Sequence, residues 1–125
     1  MICVPLDSLE DTHTSGELRV FSHMLYEIEK GIRPLALFTL STPCAIAATN
    51  KLSTRHIEWY VQSVPDSERK NLFFGASSCI KLIKRVLKGR SLADLTPEED
   101  FILGALLGYD LTRQCDRFNL LRSQS

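Results

Sequence analysis

Between Arg33 and Cys44 the chain reads Pro34-Leu35-Ala36-Leu37-Phe38-Thr39-Leu40-Ser41-Thr42-Pro43, a short apolar run closed at both ends by proline. Side chains of a strand alternate between two faces, and here both faces are apolar. The run is therefore expected to be a central strand covered on both sides rather than a half-exposed one. Thr42-Pro43 supplies an N-cap followed by proline at the first helical position, which predicts a helix over Cys44-Ala45-Ile46-Ala47-Ala48 and on towards Leu52. A further strand beyond that helix would complete one crossover unit.

The rest of the chain follows the same logic. Ile57–Val64 is rich in β-branched and aromatic residues, with Ile57, Trp59 and Val61 on one face and Glu58, Tyr60 and Gln62 on the other. The polar link Pro65–Lys70 and the extended Leu72-Phe73-Phe74 make a hairpin with it. Upstream, Phe21, Met24, Leu25 and Ile28 share one stripe of a helix from Phe21 to Lys30 that Gly31 stops. Downstream, a helix over about Cys79–Lys88 places Ile80, Leu82, Ile83, Val86 and Leu87 on one half and Lys81, Lys84, Arg85 and Lys88 on the other. Thr96-Pro97-Glu98-Glu99 is a capping box that opens a helix to Leu107. Phe101, Ile102, Leu103, Ala105, Leu106 and Leu107 cover most of that helix, so it needs cover on nearly every side, and Gly104 and Gly108 would admit a second backbone. A last helix, about Asp110–Leu121, carries the stripe Leu111, Cys115 and Phe118. The expected class is α+β: a small three-stranded mixed sheet with about five helices, in the order α-β-α-β-β-α-α-α.

At 125 residues the chain is one domain. Its expected limits are a flexible arm over 1–17, the domain over 18–121 and a polar tail over 122–125. An apolar content of 44% with 24% charged residues fits neither a disordered tail nor a membrane protein. Fifteen basic and fifteen acidic residues cancel, which argues against a whole-surface attraction to nucleic acid or anionic membranes. Cys3, Cys44, Cys79 and Cys115 form no C-x-x-C pair and no Cys/His cluster, so no metal is expected. No signal peptide and no long apolar span is visible. A reducing cytoplasm with free thiols is the expected setting.

The element order, together with Glu27-Ile28-Glu29-Lys30-Gly31-Ile32-Arg33-Pro34-Leu35, Asn71-Leu72-Phe73-Phe74-Gly75 and Leu95-Thr96-Pro97-Glu98-Glu99-Asp100-Phe101-Ile102-Leu103-Gly104, resembles a small uncharacterised bacterial domain-of-unknown-function family over about Arg19–Phe118. The resemblance implies three strands and five helices, a homodimer and no assigned activity. Genes of that family near flavodoxin genes would imply at most an accessory role in electron transfer or its regulation. It carries over no catalytic residue and no cofactor.

Four features are candidates for chemistry. The strand-to-helix turn with Gly75, Ser77, Ser78 and Cys79, and Lys81 beyond it, gathers free N–H groups and a helix dipole suited to an anion; its ordinary reading is helix capping. Cys79 near a helix N-terminus could be an activated thiolate, with His23, His56 and Tyr60 as the available companions; its ordinary reading is an inert core thiol. Lys81, Lys84, Arg85 and Lys88 could meet phosphates or an acidic partner, or simply form a solvated face. Glu58, Tyr60 and Gln62 could line a shallow groove, or anchor packing. Phe101, Ile102, Ala105 and Leu106 are the expected dimer interface. The favoured function is a cytoplasmic homodimeric binding module without catalysis, its partner another protein or a small anion. A redox accessory or an enzyme assembled across the dimer is the alternative. Nucleic-acid and membrane partners are not expected.

Overall fold

The computed structural model describes the backbone of residues 9–124 and the side chains of residues 16–124; residues 1–8 and Ser125, which include parts of the expected arm and tail, lie outside the described residues. The elements are α1 (Leu9–Glu29), β1 (Leu35–Ser41), α2 (Thr42–Thr54), β2 (Glu58–Ser63), β3 (Arg69–Gly75), α3 (Ser77–Leu87), a 3-10 turn (Leu92–Asp94), α4 (Pro97–Leu106) and α5 (Leu111–Ser123). Class and order agree with the α+β expectation.

The sheet order is β1-β3-β2, with both pairings antiparallel. Two expectations are thereby corrected. The sheet is not mixed: β1 and β2 do run the same way, but the hairpin inserts β3 between them, so the crossover pair never bonds directly. The apolar run Leu35–Leu40 is an edge strand, and β3 is the centre. Burial on both faces comes from the helices and not from central position. Leu35, Ala36 and Leu40 are fully buried because helices cover both sides of the sheet.

Alternation along the strands sorts the core into two layers. Ala36, Leu40, Leu72 and Phe74 face α1 and α2, where Phe21, Leu25, Cys44, Ala48 and Leu52 complete one cluster. Phe21 and Phe74 meet with ring centroids 5.2 Å apart. Leu35 and Phe73 face the other way, joining Ile80, Ile83 and Leu87 of α3 and Leu103 and Leu107 at the end of α4.

α1 begins at Leu9, well before the expected start at Phe21. The physical reason is an anchor at its middle. Leu18 packs on the first cluster, and Glu17 accepts hydrogen bonds from the Ser41 backbone N–H (3.0 Å) and from Arg69 Nη2 (2.9 Å). With one turn so fixed, each further helical residue adds a bond without a new nucleation cost. α5 likewise runs to Ser123, through two residues of the expected tail.

Candidate functional site

The turn from β3 into α3 is built on a close backbone approach. Ala76 N–H donates to Pro34 O at 2.8 Å, and a Cβ on Gly75, whose φ is +147°, would overlap that same carbonyl oxygen. Only glycine fits. The expected serine cap is absent: α3 starts at Ser77 with Ala76 as N-cap and no side-chain cap bond. Ser77 Oγ turns instead to Glu58 Oε1 on β2, 3.2 Å away. Ser78 is exposed and Cys79 half-buried against the second cluster. Beside the turn a cavity of about 410 Å3 is lined by Arg33, His56, Glu58 and Ser77. Arg33 is already paired with Glu27 at 3.1 Å, so the charge this cavity meets at the α3 N-terminus is the chain's own Glu58 carboxylate, which complements the helix dipole.

The suggested catalytic companions are not assembled. His23 is exposed on α1, 3.9 Å from Glu27, and His56 is exposed with a left-handed φ of 59°. Tyr60 packs on Phe73 at a centroid distance of 6.1 Å. No hydrogen bond links Cys79 to a histidine among the described residues, and among them no three His, Cys, Asp or Glu side chains gather as a metal site. The groove read from Glu58, Tyr60 and Gln62 is filled by internal pairing. Gln62 Oε1 accepts from Asn71 Nδ2 at 3.2 Å, Gln62 Nε2 donates to Arg90 O at 3.0 Å, and Asn71 Oδ1 accepts from Thr39 Oγ1 at 2.7 Å. Thr39, Asn71 and Gln62 share one row of the sheet, so this polar ladder lies flat across the three strands.

On α3, Ile80, Ile83 and Leu87 enter the core, while Leu82, expected among them, is 40% exposed. It lies two residues from Ile80, on the far side of a 3.6-residue turn. Lys81, Lys84, Arg85 and Lys88 are all exposed and have no ion-pair partner among the described residues. Arg90 differs: it bonds Glu99 Oε2 at 2.7 Å and the Val86 and Leu87 carbonyls. The Arg90 guanidinium and the Thr96 backbone N–H hold the Glu99 carboxyl at about 2. The expected capping box is present, with Thr96 and Glu99 each bonding the other's backbone.

α4 divides its apolar residues four ways. Leu103 and Leu107 enter the second cluster. Phe101 turns to Phe118 of α5, edge to face at 5.9 Å. Ile102 is 45% exposed and Ala105 exposed, with Leu106 half-buried. Gly104 is covered by the side chain of Gln114, whose Oε1 a Cβ would overlap; a side chain, and not a second backbone, uses the space. Leu106 and Ile32 share a shallow depression of about 230 Å3 with Pro34 and Gly108. α5 meets α4 through Gln114, Arg117 and Phe118, one step round from the expected stripe, so Leu111 and Cys115 are exposed. Arg117 makes two bonds to Asp100, 2.8 and 3.0 Å. Gln114 escaped sequence reading because glutamine is rarely buried; Gly104 in an otherwise apolar helix was its signal.

No helix among the described residues is long and apolar enough to cross a membrane. A comparison with functionally curated proteins finds no match. A family model described as a protein of unknown function, DUF2023, matches residues 19–120, which spans every element from the buried part of α1 to most of α5. The chain belongs to this family of unknown function, DUF2023.

Proposed function

We propose that the protein is a cytoplasmic, non-catalytic binding module that works as a homodimer. One observation carries the reading: α4 presents Ile102 and, one turn on, Leu106, and beside Leu106 stands Ile32, 64% exposed at the α1–β1 turn. Exposed apolar side chains adjoining one another favour association. A formal net charge of zero gives two copies no repulsion to overcome. Phe101 has its partner within the chain and stands behind the interface, which passes to Ile32, Ile102, Ala105 and Leu106.

The test is the mass of the particle in solution, by light scattering and native mass spectrometry, for the wild type and for Ile102→Glu and Ile32→Glu. Both positions are surface-exposed, so the variants fold. A wild-type dimer and monomeric variants with unchanged circular dichroism are expected. A wild type that stays monomeric at high concentration sinks the reading, as does a dimer that tolerates both charges.

A second reading concerns α3. The arginines on the other elements named above have carboxylate partners, whereas Lys81, Lys84, Arg85 and Lys88 stand unpaired in one row. Such a row suits an acidic partner protein, and binding through it would weaken steeply with added salt.

A further inference from the structure

Two polar side chains are buried in the described fold, and they differ in one respect. Asn71, 7% exposed, has both ends of its carboxamide bonded to Thr39 and Gln62. The carboxamide of Gln114, a residue 9% exposed, makes no hydrogen bond to a described residue, and its oxygen and nitrogen remain open to solvent in the adjoining cavity. Its donor and acceptor are therefore met by water, which a ligand that reproduces both bonds can displace. The place for such a ligand is adjacent. Gln114 lines a cavity of about 420 Å3 between the 3-10 turn, α4, α5 and β1, within the range of about 300–1,000 Å3 usual for small-molecule sites.

The chemistry of the walls narrows the occupant. Leu37, Leu92, Leu95, Leu103 and Leu107 give an apolar enclosure. Asp100 and Arg117 also line it, but they close on each other through two bonds and neither offers an unmatched charge. A carboxylate ligand would satisfy the Gln114 NH2 and confront its carbonyl. A hydroxyl would satisfy one end at a time. A lactam or amide edge presents C=O and N–H side by side and satisfies both. Gly104 belongs to the site, because any side chain there would push Gln114 out of place.

We infer that this cavity binds a small uncharged molecule with a compact apolar body and a lactam or amide edge, the body against the five leucines and the edge paired with the Gln114 carboxamide. The inference stands apart from the dimer, since it rests on the inward side of α4.

The test uses 2-quinolone, with naphthoate and naphthalene as charged and apolar counterparts of similar size, titrated into 15N-labelled full-length protein. 2-Quinolone is expected to shift the Gln114 side-chain NH2 resonances and to bind at least about ten-fold more tightly than either counterpart, the equivalent of one net hydrogen bond. Gln114→Met, which keeps length and removes both polar atoms, should reduce the affinity for 2-quinolone about ten-fold and leave the counterparts unchanged. Equal binding of all three compounds overturns the proposal. So does an unperturbed Gln114 NH2 at the solubility limit of 2-quinolone. Both of these readouts are made on the wild type and do not depend on how the variant folds.

Discussion

Replacing Glu17 by Gln isolates one charge at the junction of three elements. Its carboxylate lies at the N-terminus of α2, where the N-cap Ser41 makes no side-chain cap bond to the helix, and it joins α1 to β1 and β3 through Ser41 and Arg69. Burial alone would raise the carboxyl, but the bonds from the Ser41 N–H and from the Cys44, Arg69 and Ser41 side chains outweigh it and hold it at about 2, against an ordinary 4.5. A folded-state pKa below the unfolded one stabilises the protein at pH above the unfolded value, and the contribution is lost as pH falls from 4.5 towards 2. The ceiling at neutral pH is about 3.4 kcal/mol, at about 1.36 kcal/mol per pH unit. Arg69 is 44% exposed on its side chain and Glu17 14%, so solvent screening reduces the expected loss in Glu17→Gln to about 1–1.5 kcal/mol. Urea unfolding of both proteins at about pH 7 and about pH 3 measures it. The gap should shrink by more than half at the lower pH, because at about pH 3 the unfolded wild type binds a proton that the folded carboxylate does not, an uptake the variant lacks. A gap of the same size at both pH values would show that packing, and not the charge, sets the cost.

Three further outcomes are expected. Gly75→Ala places a Cβ on the Pro34 carbonyl at a φ that L residues avoid, and should cost at least about 3 kcal/mol or abolish soluble expression; a variant with wild-type thermal stability would contradict the close approach. Thr96→Ala removes one half of the α4 capping box and should lower stability by about 1 kcal/mol in denaturant unfolding. Among the three described cysteines, native thiol labelling followed by peptide mass analysis should modify Cys115 first, Cys79 more slowly and Cys44 last, following exposed, half-buried and buried positions; rapid selective labelling of Cys79 would revive it as a nucleophile.

Local chemistry was legible in the sequence, and long-range pairing was not. The capping box at Thr96–Glu99 and the buried triplet Ile80, Ile83 and Leu87 are set by residues within a turn or two of one another, and both stand as read. Leu82 shows the limit of a visual half-helix: an apolar residue two positions from Ile80 lies on the opposite side whatever its hydrophobicity. Whether β1 is central or marginal depends on where β3 inserts, and no feature of Leu35–Leu40 encodes that. Glu17 looked like part of a polar arm because its partners, Ser41 and Arg69, lie 24 and 52 residues away. In α5 the apolar letters Leu111 and Cys115 drew attention to one stripe, while the contact with α4 is made by Gln114, Arg117 and Phe118. Two of those three are polar, and their partners, Gly104 for Gln114 and Asp100 for Arg117, lie on the facing helix.

Each face of the sheet carries a buried cluster with partly covered apolar side chains at its margin. Beneath α1 and α2 that margin includes Met24, Ile28 and Phe38. On the other face it includes Leu37, Leu92, Leu95 and Leu106, where the 3-10 turn and the end of α4 share the cover with α3. α4 therefore meets the cavity through Leu103, Gly104 and Leu107 and meets solvent through Ile102 and Leu106. If the cavity takes a lactam and the outer side takes a second copy, one rigid element borders both sites, and a ligand that shifts α4 changes the strength of the dimer by the same factor as dimerisation changes ligand affinity. The affinity of the wild type for 2-quinolone should then depend on protein concentration across the range in which the dimer forms, and that of Ile102→Glu should not. Equal affinities in the two proteins at every concentration would show that the inner and outer sides of α4 act independently.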